Sequence, residues 1–331
     1  MSSALISIID FLVLFTALVF LTKAADIVVH SISHLSRSNK IEPFALAGVL
    51  SAAATNLPEL FVSVSGAVMG DTNLVLGVVL GSNIANITLI AGMVAVIGGS
   101  LGVVGDFIKK DVLKAFLVLL FPLFLLIDGN LSFFDGLLLV AAFILYHLTV
   151  FQKKREYGYY RENTPFWSTR KWLSRFNRTY KNKQLLWLIF GLVMLLFSAD
   201  VAVEVATRIA VDLRLPLIII GLFFIAVGTS LPELVFEARA ARLGQTGMVF
   251  GNLLGSLVAN ATLILGLTAL IHPVSIAGRE QYVFQALIMF FLSFLLLWFF
   301  IKTKLKLQRW EGGVLVIAYL LFLFLQLRLV Y

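Results

Sequence analysis

The stretch Ala54-Thr-Asn-Leu-Pro-Glu59 decides the fold, because the chain carries it twice. The second copy reads Gly228-Thr-Ser-Leu-Pro-Glu233, an offset of 174 residues from Glu59 to Glu233. The offset persists well past the hexad. Gly70 falls on Gly244, Gly77 on Gly251, Gly81-Ser82 on Gly255-Ser256, Asn86 on Asn260, and Thr88-Leu-Ile90 on Thr262-Leu-Ile264. Roughly half of the positions from Ala54 to Gly92 match without a gap, too many for two apolar stretches sharing only composition. Each copy sets a carboxylate, a proline and hydroxyls inside an apolar segment. In a membrane that placement is costly, and it points to function.

The surrounding chain is a membrane protein by composition. Its 331 residues are 60% hydrophobic and 13% charged, with a mean hydropathy of +0.99. Several runs exceed the ~18 apolar residues that separate a spanning helix from a buried core helix. There are no cysteines, which excludes disulfides, thiolate metal sites and cysteine nucleophiles. The net charge of +8 and pI near 9.7 would suit a nucleic-acid partner, but the basic residues follow membrane topology instead.

Ten spans are expected. Residues 1–151 form a first five-helix repeat with spans at Leu5–Leu21 (continuing toward Leu35), Phe44–Met69, Leu74–Ile97, Val112–Ile127 and Phe133–Val150. Residues 152–183 form a basic loop. Residues 184–331 form a second repeat with spans at Leu185–Ala210, Leu217–Ala238, Val249–Ile271, Tyr282–Ile301 and Val314–Leu329. The first span lacks a basic flank and a small-residue cleavage site, so it reads as retained rather than as a removed signal peptide.

Loop charges set the orientation. With the amino terminus outside, Arg37, Lys40, Lys109, Lys110, Arg239, Arg242, the Lys302–Arg309 cluster and the basic loop all face the cytoplasm. Only Arg208, Arg214, Arg279 and Arg328 fall outside, so both termini are placed outside a cell membrane. Five spans per half then invert the second repeat relative to the first. The fold class expected is therefore an all-α polytopic membrane protein of ten transmembrane helices in two inverted five-helix repeats. Such architectures hold substrate near the midplane, on interrupted helices. The pairing reaches upstream, since Asp26 stands at the same offset from Asp200.

The chemistry follows from the hexads. Pro58 and Pro232 lack an N–H and should break or kink their helices, freeing carbonyls near Ala52 and Ala226. Glu59 and Glu233 supply two negative charges. Thr55, Thr229 and Ser230 supply hydroxyl oxygens, and Asn56 an amide oxygen. Ser82 with Asn86, and Ser256 with Asn260, are each four apart and so share one helix face. Gly77 with Gly81, and Gly251 with Gly255, permit close backbone approach. All-oxygen ligation with two carboxylates suits a hard cation of the Ca²⁺ type.

These residues resemble a known family. The repeated Thr-x-x-Pro-Glu with a downstream Gly-Ser-x-x-x-Asn is similar to the α-repeats of the Ca²⁺/cation antiporter superfamily, in particular its prokaryotic sodium/calcium exchangers. The resemblance implies alternating access, with the first and sixth spans sliding past an ion-holding core. By position it implies Glu59 and Glu233 as central Ca²⁺ ligands. Thr55, Thr229, Ser82 and Ser256, with carbonyls near Ala52 and Ala226, would form flanking sodium sites. Two positions depart from the pattern: Asn260 stands where such exchangers usually keep an acid, and Asn56 where serine is commoner, an Asn there being similar to the proton-coupled relatives.

The function expected is a secondary antiporter exchanging Ca²⁺ for Na⁺, with H⁺ coupling on the same fold as the alternative. A cation channel or intramembrane enzyme fits less well, since inverted repeats suit alternating access and no Ser/His arrangement is present. No cofactor is expected, and the partners are the ions and the bilayer. His30 and His34 read as packing or interface residues. Asp26 and Asp200 read as snorkelling helix-end charges, with ion access as the alternative. Tyr157, Tyr159, Tyr160, Trp167 and Trp172, interleaved with basic residues, read as an interfacial segment on anionic lipid.

Overall fold

The computed structural model describes residues 3–38, 55–102, 112–156, 178–242, 244 and 246–328. Upstream parts of the second expected span, Ala52 among them, and most of the basic loop with its five named aromatics lie outside that range. So do the side chains of His30 and His34.

The described chain is helical, joined by four two-residue strands. In order the helices are α1 (Ser3–Ser38), α2 (Leu57–Met69), α3 (Thr72–Gly98), α4 (Leu113–Leu125), α5 (Phe133–Glu156) and α6 (Arg178–Leu213). The rest are α7 (Leu217–Thr229), α8 (Leu231–Arg242), α9 (Thr246–Ile271), α10 (Glu280–Lys304) and α11 (Arg309–Arg328). Among the described residues, six helices are long and apolar enough to cross a membrane. The pair α7 and α8, bent by 41° at Ser230, makes a seventh, and α2, α4 and the apolar part of α5 are shorter apolar helices. Large apolar side chains such as Phe15, Phe197, Val235 and Phe284 stand exposed on the outer faces, as lipid-facing residues must. The protein is thus an all-helical, multi-pass membrane protein.

The prolines act as their chemistry requires. Pro58 sits in the first turn of α2 and Pro232 in the first turn of α8, where a missing N–H costs nothing. One expectation changes here. The Ala226 carbonyl is not released by Pro232, because α7 stays helical to Thr229; it accepts the Ser230 N–H at 3.1 Å and the Thr229 hydroxyl at 3.2 Å. The N–H that Pro232 lacks would have reached Gly228, four residues back.

Helix directions follow from close backbone contacts. A methyl added at Gly77 would lie 2.3 Å from the Ile218 carbonyl oxygen, one at Gly81 2.3 Å from that of Leu222, and one at Gly98 2.6 Å from Ala241. Residue numbers rise together, so α3 runs parallel to α7 and α8. Likewise Thr55 meets Asn252, Asn56 meets Ser256 and Gly70 faces His272, so α2 runs parallel to α9. The chain reverses between α2 and α3 at Gly70, whose φ of 81° requires glycine. Hence α8 runs opposite to α2, the helix whose sequence it repeats, and α9 opposite to α3. Helices α1 and α6 also run antiparallel, with Asp10 on Arg208 and Val28 on Gly191.

The irregularities repeat as well. Each copy carries a π-helical segment at the same place, Asn86–Ile90 in α3 and Ala259–Ile264 in α9. Within them Thr88 and Thr262 donate to carbonyls four residues back, at 2.5 and 2.6 Å. Gly92 of α3 packs on Gly312 of α11, and Gly266 of α9 packs on Gly136 of α5. The strand pairs Leu101–Gly102 with Lys306–Leu307, and Asn130–Leu131 with Val274–Ser275, each join the two halves at opposite ends of the molecule. Separately, Leu14, Leu18 and Leu21 of α1 and Leu195, Ala199 and Val203 of α6 form their own apolar cluster against α2, α3 and α7.

Candidate cation site

Four helices converge on the hexads. Thr55 and Asn56 lead into α2, whose first turn carries Glu59, and Thr229 and Ser230 at the α7–α8 break lead into α8, whose first turn carries Glu233. Helices α3 and α9 contribute Ser82, Asn86, Ser256 and Asn260 from beside or within their π segments. All ten side chains are buried, with Glu59 at 1% exposure and Glu233 at 0%. Each glutamate stands in the first turn of its helix, where the unpaired N–H groups favour negative charge.

The two copies reach across to one another. Ser230 Oγ donates to Glu59 Oε1 at 3.3 Å, and the Thr229 hydroxyl also lies against Glu59. Asn56 Nδ2 donates to Ser256 Oγ at 3.2 Å. Glu233 lies close enough to Glu59 to feel its charge. Asn83 Nδ2 donates at 3.4 Å to the carbonyl of Leu257, the residue at its own repeat position. A residue meets its repeat partner only near the axis relating the copies, so that axis runs through this centre.

Many of the oxygens here lack hydrogen-bond donors. Glu59 Oε2, both carboxylate oxygens of Glu233, Ser82 Oγ, Asn86 Oδ1 and Asn260 Oδ1 are buried and take no hydrogen bond. Among the described residues no lysine or arginine pairs with either glutamate. Buried carboxylates without donors or counter-charges are unfavourable by several kcal/mol, on the order of the cost of any isolated buried ion. A bound cation removes that cost. Among the described residues no three acidic or histidine side chains converge as a metal site. The donor set is therefore two carboxylates plus neutral oxygens, which fits a hard cation as substrate.

Thr55 donates to Asn252 Oδ1 at 3.3 Å, while Thr229 bonds the carbonyls of Ile225 and Ala226. Three buried polar residues around the centre were not foreseen: Asn83, Asn252 and Glu237. None is matched in the other repeat, where Leu257, Val78 and Ser63 stand, so a search for duplicated residues passes over them. A polar residue inside an apolar span was the available signal. Asp200 accepts a hydrogen bond from Ser65 of α2, whereas Asp26 is exposed and lies 4.0 Å from Lys23.

Buried carboxylates on the oppositely directed helices α2 and α8 fit a membrane ion transporter rather than an enzyme. Residues 9–152 and 183–328 match the family described as sodium/calcium exchanger protein, and the chain belongs to that family. Among relatives, it is 31% identical to the sodium/calcium exchanger MaX1 of Methanosarcina acetivorans, covering 95% of this chain and 97% of that protein. It is 30% identical to the putative antiporter CaxA of Alkalimonas amylolytica, over 92% of this chain and 94% of that one. Among solved structures, it resembles the sodium-calcium exchanger NCX_Mj soaked with 2.5 mM Na⁺ and 0.1 mM Ca²⁺. The TM-score is 0.58 at 27% identity, covering 96% of this chain and 97% of that one.

Proposed function

We propose that the protein exchanges Ca²⁺ for Na⁺ by alternating access, with Ca²⁺ held between Glu59 and Glu233. The observation that carries this reading is the pair of buried carboxylates, one from each hexad, three of whose four oxygens take no hydrogen bond. Ca²⁺ at that point balances both charges. Na⁺ would occupy flanking positions among Thr55, Ser82 and Asn86 on one side and Thr229, Ser256 and Asn260 on the other. Asn56 and Ser230 close the ring between the copies. The ten helical segments, with α7 and α8 as one span, are assigned as two inverted five-helix repeats, residues 1–151 and 184–331, joined by a cytoplasmic basic loop at 152–183. Both termini then face outward from the cell membrane. The opposed directions of α2 and α8, and of α3 and α9, support that assignment.

Alternation requires the ring to open on one face at a time. The separate apolar cluster of α1 and α6 gives this pair a face that can slide as a unit against α2 and α7. Its hydrogen bonds to α2 and to the turn after it, Asp200 with Ser65 and Thr207 with Asp71 at 3.3 Å, would be made in one state and broken in the other.

Proton coupling is the second reading, favoured by Asn56 and Asn260 at positions where an acid or serine would favour sodium. The deciding measurement is Ca²⁺ uptake into proteoliposomes at clamped pH and voltage, driven by an outward Na⁺ gradient. Uptake under those conditions is the expected result. No uptake with Na⁺, but uptake with an imposed pH gradient alone, replaces sodium by protons. Single cysteines at Asp128 and Lys306 should label from opposite membrane faces, because the chain has none of its own. Labelling from one face would overturn the topology.

A further inference from the structure

Glu237 is a third buried carboxylate that neither the repeat nor the central pair accounts for. It is 1% exposed and stands one helical turn after Glu233 on α8. Its Oε1 accepts Asn252 Nδ2 at 3.1 Å, and its Oε2 takes no hydrogen bond. Asn252 in turn accepts the hydroxyl of Thr55 at 3.3 Å. A hydrogen-bonded chain therefore runs from Glu237 through Asn252 to the first hexad.

The charge on this group needs a partner. Glu237 forms no ion pair with any described residue. The described elements packed on α8 are α7, α9 and the second half of α3 with its π segment. Of these, α9 faces Glu237 with the neutral Asn252, and α3 from Asn86 to Gly98 has no ionisable residue. On its own helix stand Glu233, which repels it, and Arg239 and Arg242 in the last turn. An amide on one oxygen does not balance a buried negative charge. A single monovalent cation on the other oxygen does.

We propose that Glu237 is a third cation position, holding one Na⁺ or one proton, and that Asn252 and Thr55 link it to the central exchange site. The position exists in one repeat only, because the first repeat has Ser63 and Val78 where the second has Glu237 and Asn252. An unpaired, monovalent site beside a duplicated divalent centre adds one charge to the transport cycle. It also makes the cycle asymmetric across the membrane.

This inference rests on the exchange reading above and is tested on the reconstituted full chain at zero net flux. The equilibrium Ca²⁺ ratio across the membrane is measured at zero voltage, first under a tenfold Na⁺ gradient and then under a tenfold proton gradient. Each coupled monovalent ion contributes about one factor of ten to that ratio. In Glu237→Gln the ratio should change by about tenfold relative to wild type, in the Na⁺ arm if sodium occupies the site or in the pH arm if a proton does. Glu237→Ser, which copies the first repeat, should give the same change. Equal ratios in wild type and both variants, with only the rate altered, would overturn the proposal. So would failure of both variants to fold, which would assign Glu237 to structure. Absence of any Ca²⁺ exchange by wild type would instead remove the exchange reading itself.

Discussion

Around Glu59 the chain gathers hydroxyls from the opposite copy, Ser230 and Thr229, while both oxygens of Glu233 stand without donors. Asn56, at the position matching Ser230, does not return the favour; it turns to Ser256 on α9 instead. The second repeat adds Glu237 and Asn252, and the first adds Asn83 on the axis. The two repeats thus share one π segment at matching positions, Asn86–Ile90 and Ala259–Ile264, and differ in side-chain charge. The shared part supplies the residues on which the proposed exchange site is built. On the proposal made above, the unshared part would let the two faces bind and release ions on different terms.

The largest expected effect treats the copies as equivalent. If one ion is held between them as proposed, Glu59→Gln and Glu233→Gln each remove one of its two charged ligands, at a cost of about 3–5 kcal/mol in ion affinity. That is more than a hundredfold, and labelled Ca²⁺ uptake by everted vesicles should vanish in both, with expression checked by blot. Normal uptake in either variant would break the pairing.

A smaller effect separates the hexads. Ser230→Ala deletes a hydrogen bond to a buried carboxylate, worth about 1.5–3 kcal/mol, whereas Asn56→Ser loses a neutral bond worth about 1 kcal/mol. Ca²⁺ binding by calorimetry in detergent should weaken at least about tenfold in the first and only several-fold in the second. Equal losses would show the hexads to be interchangeable.

The smallest contrast compares the matched acids on α1 and α6. Asp200→Asn weakens a charged hydrogen bond to Ser65, so exchange rates should fall by about tenfold or less. Asp26→Asn touches only an exposed lysine across 4.0 Å and should change rates about twofold at most. A larger effect at Asp26 would reverse the assignment of which helix is latched to α2.

What the sequence determined by itself was everything that depends on period and duplication. Apolar runs, one offset of 174 residues and two Pro-Glu pairs were enough to name the membrane class, the family resemblance and the residues of the centre, because buried charge and helix-breaking proline are legible without coordinates. Tertiary structure alone decided which groups are satisfied. The Ala226 carbonyl keeps its donors since α7 remains helical to Thr229, and the Thr55 hydroxyl donates to Asn252 of α9. Glu237 acquires its meaning only when Asn252, fifteen residues away in the chain, closes on it. Hydrogen bonding is short-ranged and directional, so partnership depends on how separate helices cross, which no spacing along one helix records.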